Sequence, residues 1–419
     1  MKTWLWVILF TLLGYSFSFS QAQKGWTLIQ QKCTPCHKNS SFGPFDFSNI
    51  EEVNNYSKTI VFCLNENIMP LWFATSKNRH YFNERVLSYA DKKEIIQWFD
   101  QLEQKGVAAI KAELLPISAA VNNFPPPNHT ISTTNWYKFQ EQSDQVFLNF
   151  KKNDVPIKGF IKGATIRYSE EKIVHHGVVY GIDSTNKQVN LLESTSGDFK
   201  GNTVGDVTLG VYAPGVNYAL LPDGFAYEIG NIKGLLFETH LLGTQEEIKV
   251  EAHADLYYCK EEKPRLVQTI NLANLEDKGP ILPNTVKTYH GKHLLKDSTS
   301  LLALMPHMHK IAVAFNSYAV TPTNDTLELL NLAKWSFEWQ TIYRLDSLLV
   351  LPPNTVVHFQ ATFDNTTDNL QNPSNPPQTV WVNQGWSIKN EMLIFGLQYV
   401  NYQKGDENHP LHWVSLEPF

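Results

Sequence analysis

Cysteine is scarce in this sequence, with four in 419 residues, too few for the disulfide framework of a small secreted scaffold. Two of the four, Cys33 and Cys36, fall within one pentapeptide. The others, Cys63 and Cys259, read as separate buried thiols, a bridge between them being the alternative. Positive charge is not in excess either. Lysine and arginine number 35 against 41 aspartates and glutamates, a net charge of -6, which offers no field to a phosphate backbone and sets nucleic acid aside as a partner. Charged residues are only 18% of the chain, whereas hydrophobic residues are 42% and aromatics 12%. A disordered or highly solvated chain is thereby excluded, and packed cores are expected. No apolar run after Phe19 is long enough to span a bilayer, and nothing repeats at a fixed period. A chain of 419 residues exceeds what one core organises, so about two to four domains are expected.

The first feature present is Lys2 followed by an apolar run from Trp4 to Phe19 and then Ser20-Gln21-Ala22. The run is roughly 16 residues, short of the ~20 that span a bilayer, and small residues stand where a signal peptidase reads. Residues 1–22 are therefore expected to be a cleaved signal peptide, an uncleaved anchor being the alternative, and cleavage places the mature protein in the periplasm or outside the cell with no transmembrane anchor. No cysteine follows the run at the cleavage point, so a lipoprotein signal is absent.

Next comes Cys33-Thr34-Pro35-Cys36-His37. Two thiols one helical turn apart can add to the vinyl groups of haem while the adjacent histidine is held beneath the iron, so the motif reads as covalent attachment of haem c. A redox dithiol needs no histidine in the fifth position and usually sits in a βαβ setting absent here. Met69, on the proline-containing stretch Ile68-Met69-Pro70-Leu71-Trp72, is the expected sixth iron ligand, a buried core methionine being the plainer alternative. An amphipathic helix over Asp91–Leu102, with Ile95, Ile96, Trp98, Phe99 and Leu102 on its apolar side, closes a small domain over 23–112. Residues 113–130, with Phe124-Pro125-Pro126-Pro127-Asn128, read as a stiff linker. The run Met69-Pro70-Leu71-Trp72, then Phe82-Asn83-Glu84-Arg85-Val86-Leu87-Ser88, then an acidic helix around Trp98, resembles the cytochrome c modules fused to bacterial copper monooxygenases.

Beyond the linker the pattern becomes one of short β-branched and aromatic runs cut by Gly, Asn, Asp and Pro. Strands are expected at 144–150, 159–168, 174–182, 235–242 and 248–259, and again at 301–305, 311–320, 337–343, 348–351, 355–364 and 392–399. With no helix-length segment between them, the expected fold is a small all-α domain followed by two all-β antiparallel, jelly-roll-like sandwiches over 131–277 and 278–419, divided near Asp277.

Histidines are the chemistry-bearing residues of this half. In His307-Met308-His309 the two imidazoles share one face of a strand and make a natural chelate. In His175-His176 the two point to opposite faces, so they can share a metal only at a strand end or a bulge. His240 stands alone in Glu238-Thr239-His240-Leu241, and His290 and His293 are read as polar loop histidines with a small chance of touching metal.

The region from about Trp136 to about Tyr399 resembles the copper type II, ascorbate-dependent monooxygenases. The resemblance is carried by Ile173-Val174-His175-His176 with Val178-Val179-Tyr180, by Tyr212-Ala213-Pro214-Gly215 and Pro222-Asp223-Gly224-Phe225-Ala226-Tyr227, and by Phe237-Glu238-Thr239-His240. In the other half it is carried by Pro306-His307-Met308-His309, Trp335-Ser336-Phe337-Glu338-Trp339-Gln340, Phe363-Asp364-Asn365-Thr366 and Asn390-Glu391-Met392. It implies two copper ions: one held by His175, His176 and His240 to store an electron, the other by His307, His309 and Met392, where dioxygen would abstract hydrogen from a C–H bond. One thioether among imidazoles suits copper(I), the state that meets dioxygen. The resemblance further implies that the first copper passes its electron across a solvent cleft and that the fused haem supplies electrons drawn from a periplasmic donor. Lys310-Ile311-Ala312, Leu241 and Asn390 depart from the family's usual residues beside the ligands. The substrate, a small molecule or a peptide, is not specified by any motif. The alternative is a non-catalytic periplasmic electron-transfer or copper-handling protein that uses the sandwiches as scaffold.

Overall fold

The structure is a computed structural model that describes residues 22–38, 43, 45–75, 79–115, 125–139, 145–183, 207–213, 218–244, 246–337, 339–384, 390–407 and 409–415. The expected signal segment before Ala22, residues 116–124 of the proline linker, Pro214-Gly215 and Glu338 lie outside the described residues. The chain is mostly β, arranged in several sheets, with a smaller helical portion. It divides into two compact units: a helical one reaching to Trp72 and resuming at Glu84, and a β one comprising Phe73–Asn83 and the chain from Phe124 to Leu416. No helix among the described residues is long and apolar enough to cross a membrane.

In the helical unit, α1 covers residues 22–32, and α2 (Ile50–Asn55), α3 (Ser57–Asn65), α4 (Tyr89–Lys105) and α5 (Val107–Glu113) follow. The Ser88 side chain caps α4 by accepting from Asp91 N, and the helix buries Ile95, Trp98, Phe99 and Leu102, the stripe the sequence periodicity gives. Gly25 lets α1 approach α4 closely, because an added Cβ there would overlap the Trp98 side chain. Trp26 stacks on Trp98 with ring centroids 5.6 Å apart, and Ile29, Val53, Leu64 and Ile110 complete this core.

The β unit opens with β1 (His129–Tyr137), β2 (Gln145–Tyr168), β3 (Val174–Asp183), β4 (Val207–Tyr212), β5 (Ala219–Leu220), β6 (Phe225–Leu241), β7 (Ile248–Tyr258) and β8 (Arg265–Leu266). One sheet in the order β1-β7-β2-β6-β3-β4, with β8 parallel to β6, takes in all of these but β5. The two strands expected at 144–150 and 159–168 are a single 24-residue strand, β2. Its first part pairs with β6 and its last part with β7. Gly159 and Gly163, at φ 104° and 149°, sit beside the register shifts of those two pairings, where a residue with a Cβ would be strained.

Two four-stranded sheets follow, built from β9 (Gln268–Leu272), β10 (Thr285–Leu295), β11 (Thr299–Met308), β12 (Ala312–Val320), β13 (Thr326–Leu332), β14 (Tyr343–Leu351), β15 (Thr355–Asn365) and β16 (Leu393–Asn401). Their orders are β10-β15-β12-β13 and β14-β11-β16-β9. Phe315 of β12 and Phe359 of β15 meet Phe395 of β16, with centroids 5.2 and 6.1 Å apart, so the two sheets pack face to face. β9, at Gln268–Leu272, pairs with β16 and so belongs to the second of these sheets.

Two expectations change here. Residues 337–342 are not a strand, and β14 starts only at Tyr343. Side-chain bonds tie down this stretch in place of a ladder, Gln340 Nε2 donating to Phe337 O at 3.2 Å and Asn83 Nδ2 to Ile342 O at 2.8 Å. Second, His290 and His293 lie in a strand, β10, and not in a loop. Three residues apart in a strand, they point to opposite faces and cannot share one ion.

Candidate metal centre

The site begins with an irregularity in β3. Val174 pairs with Leu241 and His176 pairs with His240, so the register shifts by one residue and His175 is the extra residue of a β-bulge. A bulge is one way adjacent strand residues can be aimed to the same side. The result is a buried cluster of His175, His176 and His240, in which one ring nitrogen from each lies within 4.8 Å of the others and the three could hold a metal ion. The Nδ1 atoms of His175 and His176 are 3.0 Å apart, a spacing at which one must donate to the other or both must face a common cation. His240 Nε2 is buried without a hydrogen-bond partner among the described residues. A buried nitrogen left unsatisfied costs stability unless something binds it, so the donor set fits a metal. Gly177, directly after the pair, has no room for a Cβ because Tyr168 Oη occupies the space.

The second histidine pair comes from the end of β11. His307 and His309 face each other with centroids 5.3 Å apart and planes at 87°. His307 Nδ1 bonds Gln340 Oε1 at 2.7 Å and His309 Nδ1 bonds the Asn390 carbonyl at 2.8 Å. Both partners are oxygens that only accept, so each Nδ1 carries the proton and each Nε2 offers a lone pair. Met392 is buried and directly precedes β16, whose Leu393 pairs with Met308. Glu391 fixes the backbone at His309: its carboxylate accepts from His309 N and Ile311 N, both at 2.8 Å.

The two histidine groups are not separated by an open cleft. His176 and His307 have centroids 6.2 Å apart. Phe337 lies among them, stacked on His175 at 4.3 Å and 5.7 and 5.9 Å from the His240 and His309 rings. This corrects the cleft expected from the resemblance. The packing accounts for it, since three aromatics of one loop, Trp335, Phe337 and Trp339, are buried.

Burial governs the site's protonation. It pushes His176 and His240 well below the usual histidine value, helped by the neighbouring imidazoles. It lowers His307 against the opposing pull of Gln340, and takes His309 down to about 3. These four imidazoles are neutral at physiological pH and available as ligands. Burial also raises Glu391 to about 8, against hydrogen bonds from Ile311, His309 and Met392 that pull it down. It raises Glu238 to about 7 beside the Tyr180 hydroxyl that donates to it at 3.1 Å.

In the helical unit, Cys33, Cys36 and His37 follow α1 in a tight turn, with Cys36 N and His37 N both donating to Cys33 O at 3.1 and 3.0 Å. His37 stacks on Phe47 with centroids 4.5 Å apart, and its Nδ1 is buried with no partner among the described residues. Gly43 lies so close that an added Cβ would strike Cys36 O and His37 Nδ1. Two adjacent thiols and an imidazole presented together fit a thioether-linked haem. Met69 is half-buried beyond α3, its amide donating to Cys63 O. All four cysteines are free thiols, and burial, with Cys36 adding to it, pushes Cys33 up to about 12. The sequence motifs contain Gln340, Phe337 and Glu391 but assign them no role. Their signal was their place in stretches that also carry ligands.

No protein-family model matches the chain, and no curated protein matches it. Among solved structures, the VP2 subviral particle of infectious bursal disease virus is 10% identical over 71% of this chain and 78% of that chain, with a TM-score of 0.18. The structure of the Gt strain of the same virus is 11% identical over 72% of this chain and 88% of that chain, with a TM-score of 0.16. At such TM-scores neither likeness bears on fold or function.

Proposed function

We propose that this protein is an exported monooxygenase containing haem and copper: a cytochrome c domain followed by two jelly-roll-like sandwiches that hydroxylate a C–H bond of a small molecule or peptide. The observation that carries the reading is the bulge at His175, which gathers three buried imidazoles beside His307 and His309. His175, His176 and His240 would hold one copper, and His307, His309 and Met392 the other. Cys33 and Cys36 would attach the haem, with His37 and Met69 on its iron. Bound there, copper would supply one-electron redox chemistry and the activation of dioxygen, and the haem would supply single electrons taken from a periplasmic donor. The chain's own part is orientation and exclusion of water. Gln340 and the Asn390 carbonyl fix the tautomers of His307 and His309, and Phe337 covers the His175, His240 and His309 rings with apolar surface.

One observation favours a non-catalytic electron-transfer or copper-handling protein instead, namely the filling of the space between the histidine groups by Phe337. Oxygen uptake separates the two readings. Copper-loaded protein reduced through its haem is expected to consume dioxygen, and His240→Ala and His307→Ala should each abolish the uptake. Tight copper binding with no uptake in any preparation would leave the copper-handling reading.

A further inference from the structure

One row of the first sheet lies directly beyond the bulge at His175. Gly177 of β3 stands there between Thr239 of β6 and Tyr212 of β4, and the row before it is the ligand pair His176 and His240. Tyr168, the last residue of β2, pairs with Ala252 of β7 and reaches this row with its side chain alone. Its hydroxyl lies 3.4 Å from Thr239 Oγ1, and its ring meets Tyr212 edge-on with centroids 5.1 Å apart. Between those two contacts the hydroxyl occupies the place that a Cβ at Gly177 would take. Tyr168, Thr239 and Tyr212 are all buried, so the ring is held in the core. Core filling alone would be served by phenylalanine, and at 3.4 Å the Thr239 contact is a long hydrogen bond. Neither accounts for a buried hydroxyl aimed at a glycine.

A strand with one extra residue can shed it by slipping one position against its partner, and such a slip turns every side chain to the opposite face. Here a slip of β3 against β6 in either direction would bring His176 or Val178 opposite Thr239. Each carries a Cβ where the Tyr168 hydroxyl stands. Only the register with Gly177 in that row escapes the collision. With Val174 still paired to Leu241, the same register leaves His175 over as the extra residue. On the far side of the bulge, Phe337 stacks on the His175 ring at 4.3 Å, so the bulged residue is held from both directions.

We propose that Tyr168 is the positioning residue of the three-histidine cluster: its hydroxyl, set against Gly177, locks the register of β3 and so holds the bulge that turns His175 and His176 toward one ion. Tyr168 touches no ligand itself and acts through the strand. Its role rests on the reading of that cluster as a copper site, and every residue involved lies within the β unit.

The test is competition with a copper(I) chelator in full-length protein carrying His307→Ala, the parent, in which the cluster is the copper site read. Gly177→Ala is expected to weaken binding about 100-fold, because the new methyl strikes the hydroxyl, and Tyr168→Phe about tenfold, because the register is freed. Together the two are expected to bring affinity back to within about threefold of the parent, since the methyl then takes the place the hydroxyl vacates. The ring carbon that bore the hydroxyl is 2.9 Å from that Cβ and has to draw back slightly. Electron paramagnetic resonance of the copper(II) form gives a readout that a loss of stability alone would not move. Couplings to three histidine nitrogens are expected in the parent, fewer in Tyr168→Phe, and the parental set again in the double variant. Additive losses in the double variant, or parental affinity and couplings in Tyr168→Phe, overturn the lock and leave the copper reading standing. A parent that binds no copper while β6 and β7 stay protected from hydrogen exchange overturns the copper reading and the role of Tyr168 with it.

Discussion

His307 illustrates how much of a metal site is set by residues that never touch the metal. Its Nδ1 proton is held by Gln340 Oε1 at 2.7 Å, and that bond fixes both the tautomer and the ring plane. Gln340→Leu removes the acceptor without adding bulk. It is expected to weaken copper binding at the second pair about 10- to 100-fold, read by competition with a copper(I) chelator, and to leave the His175, His176 and His240 cluster at wild-type affinity. An equal loss at both sites would mean that Gln340 acts on the fold and not on His307. The sequence made the His307–His309 chelate legible, because two-residue spacing alone puts both on one face. The convergence of His175 and His176 was legible only as a condition, a bulge, since the register shift depends on how β3 meets β6. Gly177 is its one local trace, a glycine where the Tyr168 hydroxyl leaves no space.

At the scale of elements, the first β sheet and the second sandwich are joined through a buried ion pair. Arg265 of β8 donates to both oxygens of Asp406, at 2.7 and 2.8 Å, and Ser300 of β11 donates to the same carboxylate at 2.6 Å. Burial alone would raise Asp406, but these bonds and that from Gln403 N outweigh it and hold the group at about 2, against 3.8 unperturbed. A depressed carboxylate stabilises the fold fully above its unfolded value and loses that contribution as pH falls through the folded one, here between about 4 and 2 and worth roughly 2 kcal/mol. Asp406→Asn is expected to cost about 3 kcal/mol at pH 6 by leaving Arg265 unpaired. In urea titrations the wild-type and variant curves should approach one another as pH falls to about 2. Parallel curves across that range would show the pair to be energetically silent. Strands such as β3, β7 and β12 were legible from their β-branched runs, and α4 from its apolar stripe. β10 was not, because Thr285–Leu295 buries little beyond Tyr289, Gly291 and Leu295 and shows polar residues outward. The stretch at 337–342 misled in the opposite sense: its alternating aromatics have a strand's period but pack against imidazoles.

For the whole molecule, sequence order distinguished a helical portion with a Cys-x-x-Cys-His motif from a β portion with paired histidines. It gave no sign that residues 73–83 belong to the β portion, because Tyr81 and Asn83 make their bonds with a region some 250 residues away in sequence. Nor could spacing reveal that the histidines of the two halves meet across Phe337. On the proposed function, the clustered histidines would serve a buried copper centre and the cysteine motif a haem. The measurement that tests it most directly is the metal and haem content of purified protein after copper loading, by elemental quantitation beside a pyridine haemochrome assay. The account predicts about two coppers and one haem per chain, with one copper lost in Met392→Ala or His307→Ala. One haem with no bound copper would contradict it, and would leave a cytochrome joined to β sheets whose clustered histidines serve packing alone.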